Sequence, residues 1–210
     1  MTMRTVERIL NASLQLFNTQ GVARVTTNAI ADAAELSVGN LYYHFKNKDE
    51  ILIALFDEFQ SKIIELLDLE SAQCNLEQWV QWWQHWFSAV ELYSFVFHDQ
   101  SYLKNQSSTI EHRYRNLISR VEKIQFAIFQ TLKTRGELIA TLGDAERMAK
   151  EVTFIAFFWQ DFYEIRKGQS SLVRSSYESA LQQTLGLLLP YMAATEQLKV
   201  EHLMAMKNHQ

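Results

Sequence analysis

The stretch Thr26-Thr-Asn-Ala-Ile-Ala-Asp-Ala-Ala-Glu-Leu-Ser-Val-Gly-Asn-Leu-Tyr-Tyr-His-Phe-Lys-Asn-Lys48 reads as two short helices joined by a tight turn. Thr26 or Thr27 caps the first, and Ile30, Ala31 and Ala34 face inward. Ser37 caps the second, which runs to about His44. Its outer face carries small, polar and aromatic groups. That layout is a helix-turn-helix, whose second helix enters the DNA major groove.

Upstream, residues 3–20 form a helix with Ile9, Ala12, Ser13, Leu16 and Phe17 on one face, closed by Gly21. Downstream, Asn47-Lys-Asp-Glu50 resembles a capping box, with Asn in the usual Ser/Thr place. It opens a fourth helix, about 48–68, with Ile51, Leu52, Leu55, Phe56 and Phe59 as its apolar stripe. A Trp-rich helix is expected at about 75–97, then a short helix and a polar turn at 105–108. Gly136 ends a helix of about 109–135. Asp144 caps another of about 145–167, which Gly168 ends. Ser170 or Ser171 starts the last long helix, which stops near Pro190, and Thr195 to Lys207 has weak helical periodicity. No strand pattern or repeat is visible. The fold class is therefore all-α: a three-helix head over 1–48, a linking fourth helix, and a larger helical body over 49–210.

At 210 residues the chain can bury a sizeable core. One proline and six glycines favour long helices. No apolar run reaches the ~20 residues that span a bilayer, and the first helix, with Glu7, is no signal peptide. The lone Cys74 excludes an internal disulfide framework and a cysteine zinc site, and it fits a cytoplasmic location. No metal-binding spacing, Gly-rich phosphate loop or catalytic triad appears, so no metal, cofactor or enzymatic activity is expected. Net charge is −4, yet residues 1–50 balance five cations (Arg4, Arg8, Arg24, Lys46, Lys48) against five acids. Such a head can still bind DNA, because placement near phosphates matters more than the total.

Gly39 lies inside a short helix, at a cost of about 1 kcal/mol relative to Ala. Close approach to DNA would explain it. Val38 and Asn40 flank it and can meet a thymine methyl and a base edge or phosphate. Tyr42, Tyr43 and His44 lie beyond, where their polar tips can reach phosphates; taken alone, each also reads as a partly buried aromatic. Lys48 sits at a helix start, where a bound phosphate would satisfy both the ammonium and free N–H groups. Thr26 and Thr27 offer the same arrangement, and Arg24 and Arg8 are further backbone contacts.

These residues carry a resemblance. Thr27, Ile30, Ala31, Ala34, Ser37, Gly39, Leu41, Tyr42, His44, Phe45 and Lys48 look like the N-terminal motif of the tetracycline repressor (TetR) family, over about residues 5–55. The resemblance implies an all-helical homodimeric transcription factor, usually a repressor released by a small molecule. One departure stands out. The family often has Gly in the turn followed by Val, where this chain has Glu35-Leu36. Glu tolerates positive φ less readily, and its carboxylate adds a repulsive charge near DNA.

In the body, Trp79, Trp82, Trp83 and Trp86 recur at helical spacing, and such stripes are usually core. So many large rings also suit a cavity for an apolar or aromatic effector. The candidate lining is Trp82, Trp86, Phe95, His98, Tyr102, Phe126, Phe129, Phe158 and Phe162, with His85, Gln160 and Tyr163 as further polar groups. Ala156 and Gly186, with Leu181, Leu185, Leu188 and Leu189, suit either a dimer interface or packing within one chain. In proteins this resembles, two such helices per subunit make a four-helix bundle. A dimer would place two heads in successive major grooves of a pseudo-palindromic operator, ~34–36 Å apart. The fourth helix would be the lever between effector and head. Two other readings stay open: an enzyme or carrier for hydrophobic molecules, and a protein-interaction module that has lost operator binding.

Overall fold

The computed structural model describes residues 2–67, 73–106, 108–167 and 173–207. Among the described residues there is no strand; an isolated antiparallel bridge joins Leu138 to Met192. The chain divides into two compact units. The first comprises residues 1–63 and 92–115, the second 64–91 and 116–210. The first unit is wider than the expected 1–48 head.

In the first unit, α1 (Thr2–Gln20) buries Ile9, Ser13 and Phe17 and ends at Gly21, whose φ of +79° is the left-handed value glycine adopts freely. α2 (Thr27–Ala33) is capped by Thr26, whose hydroxyl accepts from Ala29 N–H at 3.2 Å. α3 (Val38–His44) is capped by Ser37, which accepts from Asn40 N–H at 3.2 Å. α4 (Lys48–Leu67) opens with Asn47 Oδ1 accepting from Glu50 N–H at 2.9 Å. The Glu50 carboxylate reaches back to Lys46 N–H at 2.8 Å, one residue beyond the usual capping-box partner. Ile30, Ala31 and Ala34 are buried, as are Leu41 and Phe45.

The expected helix over 75–97 stops early. α5 (Leu76–Leu92) gives way to the short α6 (Phe95–His98), and α7 (Gln100–Gln106) follows. No proline or glycine marks the break. Asn18 of α1 supplies it instead: its amide donates to Leu92 C=O at 2.9 Å and its carbonyl accepts from Phe95 N–H at 3.0 Å. Two backbone groups that a continuous helix would pair are thus paired by a distant side chain. α6 packs on α1, with Phe95 against Phe17 at 5.7 Å, and Phe59 meets Tyr93 and Phe97 at 5.8 and 5.6 Å.

In the second unit, Trp79, Trp83 and Trp86 of α5 are fully buried and Trp82 nearly so. α8 (Ser108–Thr134) begins in the first unit and continues into the second, ending before Gly136 with φ +75°. α9 (Leu142–Lys167) starts earlier than expected. Thr141, not Asp144, is its N-cap: Thr141 Oγ1 accepts from Asp144 N–H at 3.1 Å, and the Asp144 carboxylate takes Thr141 N–H at 3.0 Å. This is a reciprocal capping box, with Asp144 as its third-residue partner. α10 (Val173–Leu188) packs along α9 and ends in a 3-10 turn, Leu189–Tyr191, that contains Pro190. α11 (Ala194–Lys207) gives the weakly periodic tail a helix. The expected boundaries at Gly168 and at Ser170 or Ser171 lie outside the described residues.

Candidate nucleic-acid interface

The outer face of α3 is open. Gly39 and Asn40 are exposed, Val38 and His44 half-buried, and Tyr42 and Tyr43 are 47% and 81% exposed. Leu41 is fully buried and anchors the helix from beneath. A Cβ added to Gly39 would meet nothing within 4 Å, so no group of the chain itself requires glycine there. Tyr42 is aimed: its hydroxyl lies 3.0 Å from Thr27 Oγ1, tying α3 to the first turn of α2. The Tyr43 ring stands edge-on to His44 at 5.1 Å. Thr26, Thr27, Ser37, Val38, Gly39, Asn40, Tyr42, Tyr43 and His44 thus belong to neighbouring elements, α2 and α3 with their caps, which pack on each other.

Three of the expected phosphate grips are already engaged. The Lys48 ammonium donates to Val22 C=O at 2.9 Å and Val25 C=O at 3.1 Å and sits 5.4 Å above the Tyr102 ring. It is a strut for the loop between α1 and α2 rather than a free cation. Arg24 Nε donates to Gln20 C=O at 2.6 Å, closing the end of α1, though the side chain stays exposed. Arg8 donates to Ala34 C=O at 2.5 Å in the helix-turn-helix turn. Lys46, left out of the expected set, is exposed just after α3.

The expected effector lining resolves differently. Trp82 and Trp86 stack on each other at 5.5 Å, Trp86 packs against Phe157 at 5.3 Å, and Phe129 packs against Trp79 at 5.7 Å. These rings are core, as close packing of apolar surface favours. Phe95 is core to the first unit, where Tyr102 carries Lys48 above its ring and His98 is half-buried. Phe162 is 49% exposed and Phe158 half-buried. Phe126 lines a cleft of about 240 Å³ with Lys123 and Ala149. A larger cavity of about 420 Å³ has an apolar floor of Leu76, Val80 and Val200 under a charged rim that includes Glu77, Arg135 and Lys199. Another of about 380 Å³ is lined by Gln84, Phe87, Tyr177 and Leu181. Sequence reading missed both, because their walls come from helices far apart in the chain.

Several buried donors in the second unit have no partner among the described residues: the indole N–H groups of Trp83, Trp86 and Trp159 and the Gln125 amide N–H. Gln125 Oε1, by contrast, accepts from Trp79 Nε1 at 2.7 Å. Gln160 is satisfied within the chain, accepting from Tyr177 Oη at 3.1 Å. Tyr163 is half-buried and His85 exposed. Burial, and then the Glu137 carboxylate, push the Cys74 thiol up to about 11, so it stays protonated and is a poor nucleophile. Among the described residues no cluster of His, Cys, Asp and Glu has metal-binding geometry.

The expected interface residues are mostly inside the chain. Ala156, Leu181, Leu185 and Leu188 are buried, in a unit where α9 and α10 pack on each other. The exposed large apolar positions of α9 are others: Leu142 at 56% at its start, then Phe154 at 63%, Phe162 at 49% and Ile165 at 87%. Gly186 of α10 is exposed with open space around it.

A capped helix-turn-helix with an open second helix, joined to a helical body, defines a class: one-component helix-turn-helix regulators. Comparison with known proteins narrows it. The family model described as "Bacterial regulatory proteins, tetR family" matches residues 9–55, and the model described as "Bacterial transcriptional repressor" matches residues 58–200. The chain belongs to the TetR family of bacterial transcriptional regulators. Among curated relatives, it is 35% identical over 73 residues to the HTH-type transcriptional regulator QacR of Staphylococcus aureus, covering 35% of this chain and 39% of that one. It is 37% identical over 62 residues to AcrR of Shigella flexneri, covering 30% and 29%. The chain thus matches well under half the length of these relatives. Over nearly its whole length it is similar to a crystal structure of a TetR-family regulator from Marinobacter aquaeolei: TM-score 0.87, 28% identity, covering 96% of this chain and 97% of the other.

Proposed function

We propose that this protein is a repressor that binds a pseudo-palindromic operator as a homodimer and is released by a small apolar or aromatic effector. One observation carries the reading: α3 presents Gly39, Asn40, Tyr42 and Tyr43 to solvent on a fully buried Leu41 anchor. A helix so displayed fits a major groove, where Asn40 reads a base edge, Tyr42 (held by Thr27) and Tyr43 reach phosphates, and glycine admits the backbone. The Thr26 and Ser37 caps leave other first-turn N–H groups for phosphates.

A second copy covers the exposed face of α9. Phe154, Phe158, Phe162 and Ile165 recur at helical spacing, and Phe154 stacks on Phe158 at 5.3 Å. Apolar groups exposed along one face mark an interaction surface. An effector releases the operator only if it binds the DNA-incompetent state better. α4, which runs continuously from the first unit into the second, is the proposed lever. The test is selective capture of the DNA upstream of its own gene from genomic fragments, followed by a screen for compounds that release it. Retention of no fragment over random sequence would sink the proposal.

A further inference from the structure

We infer that Glu35 and Arg8 form an electrostatic damper that holds down the affinity of this head for DNA of any sequence. The inference rests on the DNA-binding reading above and adds a specificity device to it. Glu35 sits in the turn, two residues before the Ser37 cap of α3, at φ +52°; it is the one non-glycine among the described residues with positive φ. A glutamate there is strained, so something must hold it. Arg8 does. Its guanidinium donates to Ala34 C=O at 2.5 Å and to Glu35 C=O at 3.3 Å, and pairs with the Glu35 carboxylate at 3.4 Å.

The pair has a direction. The Glu35 side chain is 89% exposed and the Arg8 side chain 44%, so the carboxylate is the outer partner and the cation the inner one. In helix-turn-helix docking the start of the second helix is the part nearest the bases. Glu35 therefore lies within a Debye length, about 10 Å at 0.1 M salt, of the duplex backbone. It repels phosphates and occupies the cation that would otherwise draw them. The effect is sharpened by the rest of the head, where Lys48 and Arg24 already donate to backbone carbonyls. With few cations to spare, one masked arginine and one outward carboxylate remove a large part of the sequence-independent attraction. Operator binding then depends on the base-edge contacts of α3, and the ratio of specific to random binding rises.

The test uses the full-length protein and a short random-sequence duplex. Wild type, Glu35→Gln, Arg8→Gln and the double variant are compared between about 50 and 200 mM salt. Glu35→Gln removes the charge but keeps the backbone conformation. Arg8→Gln removes the cation but keeps an N–H donor for the Ala34 carbonyl. Glu35→Gln is expected to raise random-duplex affinity about three- to tenfold at the lower salt, and to steepen the salt dependence by about 0.9 per head. Arg8→Gln by itself should lower random-duplex affinity, because it leaves the outward Glu35 carboxylate unpaired, and the double variant, with the charge of wild type restored, should lose the gain and return to about the wild-type affinity. Melting curves of all four proteins confirm that each is folded. An unchanged or lower affinity in Glu35→Gln, an unchanged salt slope, or a gain that survives the loss of Arg8 overturns the damper. If wild type still selects its operator, that failure leaves the regulator reading standing; if wild type ignores every duplex, both fall.

Discussion

Gly39 has open space around it and no positive φ, so within the folded chain alanine would fit and would strengthen α3 by up to about 1 kcal/mol. Gly39→Ala is therefore expected to raise the melting temperature and, on the proposed docking, at the same time to weaken operator binding, because the added methyl would face the groove. Melting and operator affinity measured together check this; if both improve, the glycine has no part in DNA approach. The cap Ser37 was legible from sequence because it bonds three residues away, and for the second helix the sequence left Thr26 and Thr27 open until the backbone selected Thr26. Lys48 was not. Its ammonium answers carbonyls 26 and 23 residues upstream, and nothing local in Asn47-Lys48-Asp49 announces that. The same holds for Arg8, which touches residues 26 and 27 positions away.

Among the elements, α9 shows how a cap sets pH dependence. The Thr141 hydroxyl and N–H, with Arg147 nearby, hold the Asp144 carboxyl below its usual range. A carboxyl depressed in the folded state stabilises it above the unfolded value of about 3.9, and that contribution disappears as pH falls through the folded value. Asp144→Asn should thus lower the melting temperature at neutral pH, and its deficit against wild type should shrink only below about pH 4. A deficit that does not change from pH 7 to acid would show that the charge is irrelevant to the cap. The helix and most of its length were readable from spacing. Its true first residues were not, because Thr141 and Asp144 both look like caps and each backbone N–H donates to the other's side chain. The break between α5 and α6 was less readable still, since Asn18, which makes it, lies more than seventy residues upstream.

For the molecule as a whole, the sequence pattern distinguished a helix-turn-helix head from an aromatic body but not which apolar residues look outward. Leu181, Leu185 and Leu188 repeat as regularly as Phe154, Phe158 and Phe162, yet the leucines are buried within the chain while Phe154 and Phe162 remain exposed. Periodicity reports a face, not what covers it. If a second copy covers α9, Phe154→Lys with Ile165→Lys should yield a folded monomer, read by sedimentation, with operator affinity reduced at least tenfold through loss of the second head. A variant that stays dimeric would move the interface elsewhere.

The joint made by Asn18 has a practical corollary for anyone grafting this reader onto a different sensor. Phe95 and Phe97 roof Phe17 and Phe59, and the Asp99 carboxylate accepts from Val22 N–H at 2.7 Å. A transplant cut after the fourth helix would strip that roof and leave wet what is now dry. The portable module is discontinuous: residues 1–63 travel with 92–115, or not at all.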